Sequence, residues 1–336
     1  MLVTAVIAKP QPGAAAFDHF YNLEYDVAIE EFRDFTVSHP HSMEGWNYLA
    51  QAIFYSALFD CGMMGSDLMK SNESLLHAPK VVLTPERDAE LQSAIKTTQG
   101  IAEARLKINP RDEEALYELG VTQGLRANYD LLSRHAWLAG LRAANESRRL
   151  HEQVLKLDPH NYDAQLIPGT HAYMVGTLPL FARLAARAAG VTGDRVGGLK
   201  KVESTAAHGE TARLDAQILL TVLYRREHRS AEGIPILLQL SAAYPRNFIF
   251  RIELAKLYAD TGDRPRATAE VERIDRLIAQ GAPGYCGTKL AFIRRNETEV
   301  ESQIALIPQP PEASGQPGTN SFASLGSIPG IGGSPR

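Results

Sequence analysis

The chain carries the stretch WNYLAQAI at residues 46–53 and the related stretch FRIELAKLY at residues 250–258. In both, a large residue is followed by leucine, a small residue and another large residue, at intervals that place all four on one helix face. The four positions in the first stretch are Trp46, Leu49, Ala50 and Ile53. Because the small residue lets another helix approach closely, each stretch predicts one helix of a tightly packed pair.

The partner helices are also recognisable beside these stretches. Their anchors are Ala28, Phe32, Phe35 and Pro40 before the first stretch and Ala267, Val271 and Ile274 after the second. A period of about 34 residues with such anchors is typical of tetratricopeptide (TPR) repeats, in which helical hairpins stack side by side. The predicted fold class is therefore all-α, a right-handed superhelical array of roughly six TPR-like hairpins.

Composition and charge narrow the classes of function. The chain has 336 residues, 44% of them apolar, and a formal net charge of −4. This balance disfavours a nucleic-acid partner, which requires a basic face. The two cysteines, Cys61 and Cys286, are far apart and have no CxxC or Cys/His spacing. The sequence therefore predicts neither a disulfide framework nor a metal site, and no cofactor is expected.

Three segments are predicted along the chain: a flexible N-terminus at 1–16, a repeat domain at 17–306 and a disordered tail at 307–336, which is rich in Pro, Gly and Ser. The apolar start ends at Lys9 and Pro10 and is too short to span a membrane, so no transmembrane segment is predicted. It is compatible with the remnant of an export signal. The predicted compartment is therefore the cytoplasm or, if a signal peptide is missing upstream, the bacterial envelope (periplasm).

Two places interrupt the predicted period. An insertion between Asp60 and Pro85 separates the two helices of one hairpin, and Thr84 and Pro85 then start a long helix as its N-cap and first helical residue. Pro168 stands where the repeat has leucine, which predicts a kinked or broken helix. The adjacent Gly169 still supplies the small residue of the repeat.

Several strings between Phe17 and about Ile278 resemble a family of uncharacterised bacterial TPR proteins, often exported ones. They are NLEYD (22–26), WNYLAQA (46–52), GLRANY (124–129), YMVGTLP (173–179), GDR (193–195), YRRE (224–227) and YPRN (244–247). The chain is similar, more loosely, to the eukaryotic inclusion-body-clearance proteins, which are TPR-like. The resemblance implies a helical-repeat scaffold and favours an envelope location, and it brings no assigned catalytic residues.

In a TPR array, fixed positions of the first helix of each hairpin form the concave wall. The residues predicted to bind a partner there are Asn47, Gln51, Tyr55, Tyr117, His171, Tyr173, Arg225 and Arg226. Asn47 and Gln51 occupy the places where some TPR proteins clamp a peptide carboxylate with lysine and asparagine, so no such clamp is assembled. Arg225 and Arg226 suit a phosphate or carboxylate, or else a solvated helix end beside Glu227.

Known catalytic patterns do not occur in the sequence. It lacks a Ser/His/Asp set, a His-Glu-x-x-His motif and a phosphate-binding glycine loop. His151 is expected in the core of its repeat. His171 lies beside Tyr173 on the irregular helix after Pro168, and it is the best single candidate for a polar function.

The predicted function is a non-catalytic TPR scaffold that holds a protein or peptide partner in its concave groove. The alternative is a carrier of an apolar small molecule or lipid, with Met63, Met64 and an apolar helix at Leu178–Ala189 lining a closed pocket. An enzyme of unknown class is the third hypothesis. The sequence distinguishes these three only by the absence of catalytic motifs.

Overall fold

A computed structural model describes residues 11–66, 78–188 and 190–308. This part of the chain contains fourteen α-helices and no strand, which confirms the all-α class. The helices are α1 (Ala14–Tyr21), α2 (Tyr25–Ser38), α3 (Met43–Asp60), α4 (Pro85–Ile108), α5 (Glu113–Asn128), α6 (Trp137–Leu157), α7 (Leu166–Gly176), α8 (Leu180–Ala188), α9 (Arg195–His208), α10 (Arg213–Arg226), α11 (Ser230–Ala243), α12 (Phe248–Asp260), α13 (Arg264–Ala279) and α14 (Lys289–Ala305). The predicted tail from residue 309, residues 1–10 and the middle of the predicted insertion (67–77) lie outside the described residues.

Local sequence signals account for where the helices begin. The Thr84 side chain accepts a hydrogen bond from the backbone N–H of Arg87 at 3.3 Å, and Pro85 is the first residue of α4, as predicted. Ser42 and Asp112 cap α3 and α5 in the same way. Each cap satisfies an N–H that the first helical turn leaves without a carbonyl partner.

Helices that follow one another in the chain pack against each other along most of its length, and α3 also packs on α5. The small residues of the repeat lie at these contacts, since Ala50 and Ala255 are completely buried. Trp46 is half-buried, and its indole N–H donates to the carbonyl of Pro40 at 2.9 Å.

None of the described helices combines the length and apolar character needed to cross a bilayer.

The structure corrects the expectation of a kink at Pro168. A short 3₁₀ turn at Asp163–Gln165 leads directly into α7, so Pro168 lies in the first helical turn, where its missing N–H costs no hydrogen bond. Gly169 lies where α7 meets α9. A Cβ atom on the facing Gly198 would lie 2.5 Å from both the Gly169 carbonyl oxygen and the Tyr173 nitrogen. The two backbones therefore approach each other more closely than any side chain would allow.

The two ends of the array contact each other through residues between 222 and 228 positions apart. The Arg246 guanidinium donates to Glu24 Oε1 at 2.9 Å and to Asp18 Oδ2 at 2.6 Å. The Asn247 side chain donates to the carbonyl of Tyr21 at 2.7 Å. We call these residues, which join the α1–α2 turn to the start of α12, the closure seam.

Apolar contacts continue the closure seam into the core. The ring of Phe59, at the end of α3, packs on Phe248 and Phe292, with centroid distances of 6.1 and 5.8 Å. A buried cluster accordingly includes residues of α1, α2 and α3 together with residues of α12, α13 and α14. The first hairpin is therefore seated on the last helices.

Substituting Gly198 with alanine tests the close approach of α7 and α9. The new methyl group would meet backbone atoms that cannot rotate away, so we expect G198A to lower the free energy of unfolding by about 1–3 kcal/mol. Urea denaturation followed by circular dichroism measures this. The matched control is Gly100→Ala in α4, where no atom lies within 4 Å of the new Cβ; it should be neutral or stabilising by about 0.5–1 kcal/mol. A G198A variant as stable as G100A would contradict this packing.

Replacing Arg246 with methionine tests the closure seam. The change leaves the carboxylates of Asp18 and Glu24 without their guanidinium, so we expect a loss of about 1–3 kcal/mol in the same denaturation experiment. The control is Arg149→Met, which removes an ion pair with Glu146 on the exposed face of α6. Such a pair contributes less than about 1 kcal/mol, so equal effects of the two substitutions would refute a special role for Arg246.

Candidate functional site

A cavity of about 430 Å³ lies where α3, α5 and α10 face one another. We call it the acidic cavity. Its described lining consists of Gln11, Glu44, Asn47, Tyr48, Gln51, Glu113, Glu114, Tyr117, Glu118, Val121, Asn161, Asp163, Thr211, Ala212 and Asp215. Its size falls in the range of about 300–1,000 Å³ that is usual for small-ligand sites.

Charge distinguishes this cavity from an ordinary packing defect. Six of its lining residues are Asp or Glu, and none of those described is Lys or Arg. Arg105 reaches one of them, Glu114, at 3.0 Å without itself lining the cavity. Carboxylates that share a recess with low-dielectric walls focus a negative potential into it, so the cavity should attract cations.

Asn47 holds one of the carboxylates in place. Its side-chain amide donates to Glu118 Oε2 at 2.8 Å and to the Glu118 carbonyl at 3.0 Å, and it accepts from the Thr122 hydroxyl at 2.8 Å. Because Asn47 is only 3% exposed, its amide group bonds other protein groups and not solvent. The structure therefore gives this predicted binding residue a positioning role between α3 and α5.

Asp215 lies where α1, α3 and α10 come together. It accepts a hydrogen bond from the Tyr21 hydroxyl at 2.9 Å and a longer one from the Gln51 amide at 3.5 Å. Burial raises the pKa of Asp215, and these two bonds oppose that shift without cancelling it. No ion pair to Asp215 occurs among the described residues, so its charge is stabilised by neutral donors alone.

Asp163 has a different role, because the protein itself satisfies its carboxylate. It accepts from the backbone N–H groups of Glu210, Thr211 and Ala212 at 2.8, 3.0 and 3.2 Å, and from the Thr211 hydroxyl at 2.9 Å. These four bonds fix the turn that precedes α10. Asp163 therefore shapes the rim of the cavity and has little capacity left for a ligand.

Two tyrosines complete the wall. The Tyr48 hydroxyl donates to Glu44 Oε1 at 3.1 Å, and the Tyr117 ring makes an edge contact with His151 at 5.2 Å. Burial lowers the pKa of His151 to about 4, so this histidine is a neutral core residue, as expected.

The predicted site residues divide between two places. Gln51 and Tyr117 line the acidic cavity together with Asn47, whereas Tyr55 packs its ring on Phe20 at 5.6 Å and is not part of the lining. The remaining residues, Tyr173, Arg225, Arg226 and His171, lie on α7 and α10 and do not line it either.

Tyr173 and the two arginines take part in structural contacts. The Tyr173 hydroxyl donates a hydrogen bond to Glu227 at 2.5 Å, and Tyr173 is completely buried. Arg225 donates to Asp260 at 2.9 Å and to the hydroxyl of Ser66 at 2.6 Å, which ties the loop after α3 to the last helices. Arg226 donates to Thr177 at 3.2 Å. Both arginines thus connect distant segments.

His171 is half-buried on α7. Its Nδ1 atom is buried and has no hydrogen-bond partner among the described residues. Burial lowers the pKa of this histidine and the nearby charge of Arg148 lowers it further, so the ring is neutral. Glu152 is the one carboxylate whose charge opposes that shift.

Sequence reasoning missed the carboxylates, although a signal for them exists. Glu44, Glu114 and Asp215 each stand five residues before the leucine of their repeat, which is Leu49, Leu119 and Leu220 respectively. In an array of helical repeats, the same place in each repeat faces one side. An acidic residue that recurs at this place therefore predicts an acidic inner wall.

Comparison with known proteins identifies no relative. The sequence matches no protein-family model, and no curated protein shows significant similarity to it.

The geometry of the acidic groups bears on the kind of cation. Among the described residues, no three His, Cys, Asp or Glu side chains converge as they would around a metal ion. The carboxylates are instead spread over the walls contributed by α3, α5 and α10. This arrangement suits an extended organic cation with several N–H donors better than a single compact ion.

The raised pKa of Asp215 leads to a pH-dependent prediction. The folded protein retains the Asp215 proton at pH values where the unfolded chain, with a pKa of about 3.9, has lost it. The contribution of Asp215 to the free energy of unfolding therefore falls as the pH rises from about 3.9 to the raised pKa of the folded protein. Asp215→Asn removes the ionisation, so its melting temperature should exceed that of the wild type at neutral pH, by a margin that grows as the pH rises above about 4 and then levels off.

Asp163→Asn provides the control for this experiment. A single amide oxygen cannot accept the four hydrogen bonds that this carboxylate receives, so D163N should be less stable than the wild type at neutral pH. Melting curves of the three proteins across the same pH series decide the matter. If D215N melted below the wild type at pH 8, the cavity would not impose a cost on the Asp215 charge.

Proposed function

We propose that this protein is a non-catalytic, TPR-like scaffold that binds a protein or peptide partner, and that the acidic cavity receives a basic side chain of that partner. One observation carries the proposal: the Asp215 carboxylate, held by neutral donors, lies in a cavity whose described lining has five further acidic residues and no Lys or Arg. A lysine ammonium offers three N–H donors and an arginine guanidinium five, and both can bond several carboxylates at once.

The TPR-like arrangement rests on three observations. The repeat pattern recurs at residues 46–53 and 250–258, consecutive helices pack on one another, and the small residues of the repeat lie at the helix contacts. In such arrays the first helices of the hairpins line the binding surface. The cavity is lined from α3, α5 and α10, which contain the first-helix patterns of three repeats.

The other two hypotheses receive less support. An apolar ligand in this cavity would desolvate the Asp215 carboxylate without offering it a cation, which is costly. The apolar side chains of α8, which were expected to line a closed pocket, are exposed instead: Leu180, Phe181 and Leu184 are 64%, 76% and 59% accessible. The enzyme hypothesis has no motif behind it, since the sequence lacks a Ser/His/Asp set and a His-Glu-x-x-His motif.

Fluorescence polarisation with synthetic peptides tests the proposal. The probes are fluorescein-labelled Gly/Ser nonapeptides whose central residue is lysine, arginine, norleucine or glutamate. We expect the lysine and arginine peptides to bind about tenfold or more tightly than the norleucine peptide, and their binding to weaken as salt is added. Equal binding of the lysine and norleucine peptides would exclude a cation-selective site.

A variant in the cavity strengthens this test. Asp215→Asn should weaken binding of the lysine peptide about tenfold while making the free protein more stable, because the charge favours the ligand at the expense of the fold. The control Glu272→Gln removes a 62% exposed carboxylate from α13 and should leave binding unchanged. If D215N bound the lysine peptide as well as E272Q does, the cavity would not be the binding site.

A further inference from the structure

The helix α8 presents large apolar side chains to solvent. Leu180, Phe181 and Leu184 are 64%, 76% and 59% exposed. At 100° per residue these three positions fall on one side of the helix, and Ala188 falls within the same arc. We call this side the apolar face of α8. Large apolar side chains exposed together on one helix face call for a partner.

The rest of α8 shows which side faces the protein. Ala182 and Ala186 are half-buried, whereas Arg183 and Arg187 are exposed. The two alanines lie opposite the apolar face, and the two arginines flank it. Within the described residues, neither arginine belongs to an ion pair. The helix therefore rests on the protein through small side chains and directs its apolar face and its charges outward.

The start of α9 carries further exposed side chains. The backbone N–H of Asp194 donates to the carbonyl of Ala172 at 2.9 Å, so α9 begins beside α7, the helix on which α8 mainly packs. Near its start α9 exposes Val196, which is 67% accessible, together with Lys200 and Lys201. These two lysines are exposed cations of α9 near its start, and the exposed carboxylate of Asp194 lies at its N-cap.

A further exposed apolar group lies at the same end of the helix array. The first turns of α6 expose Trp137, Leu138 and Leu141, which are 38%, 71% and 59% accessible. Because α6 and α7 pack against each other and are joined by a short turn, the start of α6 and the end of α7 lie on the same side of the molecule. Exposed apolar side chains therefore also occur near the start of α6.

The combination of an outward apolar face with flanking arginines restricts the occupant. A basic amphipathic helix of this kind lies in the interface of a bilayer, with its apolar side chains among the acyl chains and its cations at the headgroups. At nine residues α8 is far below the roughly 20 needed to span a bilayer. A second copy of the chain would bring four arginines together at the contact, and such like-charge contacts are unfavourable.

We propose that α8 docks the protein on an anionic lipid surface, with Leu180, Phe181 and Leu184 inserted at the interface and Arg183 and Arg187 paired with lipid phosphates. The acidic cavity is lined by other helices. The membrane contact is therefore independent of peptide binding, and either can fail without the other.

Vesicle flotation of the full chain tests this proposal. One set of vesicles consists of phosphatidylcholine and the other of phosphatidylcholine with phosphatidylglycerol. We expect the protein to float with the anionic vesicles and to remain at the bottom of the gradient with the neutral ones. The double variant Phe181→Glu/Leu184→Glu should lower the partition coefficient for anionic vesicles about tenfold or more. Arg183→Gln/Arg187→Gln should lower it and reduce its dependence on salt.

The matched control is Val37→Glu/Ile108→Glu, which adds the same charge at exposed apolar residues of α2 and α4 that are 75% and 88% accessible. It should float like the wild type, and circular dichroism should show all the variants folded. The proposal is overturned if the wild type does not float with anionic vesicles, or if F181E/L184E floats as the control does. It is also overturned if sedimentation equilibrium shows a dimer that F181E/L184E dissociates, since the apolar face would then bind a second copy.

Discussion

The guanidinium of Arg246 is the contact on which the interior of this protein depends. This guanidinium donates to Asp18 and Glu24 across the closure seam. The backbone N–H of Arg246 also donates to the Asn22 side chain at 3.0 Å. A stack of helical hairpins that contact only their neighbours would leave its two ends apart. Here the first hairpin is held on the last helices.

The same seam positions the chemistry inside the cavity. Tyr21 is attached to the seam through its carbonyl, which accepts from Asn247, while its hydroxyl donates to Asp215. The distant end of the chain therefore contributes to holding a carboxylate that has no described cationic partner. A buried charge of this kind lowers the stability of the free protein, and proteins tolerate such a cost where the charge serves binding.

Much of the helical structure could be predicted because its signals are local. The cap at Thr84, the helix end before Pro40 and the turn at Gly262 each depend on a few adjacent residues. The misjudged position was Pro168, because proline breaks a helix interior but not a first turn, and the start of α7 depends on how that helix packs on α9. Three of the residues predicted to bind a partner, Asn47, Gln51 and Tyr117, line the acidic cavity, while none of its carboxylates was among the predicted residues.

The sequence by itself determined the helices, their pairing with neighbours and the placement of small residues such as Ala50 and Ala255 at the contacts. These features follow from helical periodicity and from short-range capping and turn chemistry. Only the tertiary structure decided that Arg246 meets Glu24, that carboxylates from α3, α5 and α10 share one cavity, and that the apolar face of α8 lies outside the core. Contacts between residues more than two hundred positions apart produce no local pattern in the sequence, because they depend on how all the intervening helices pack.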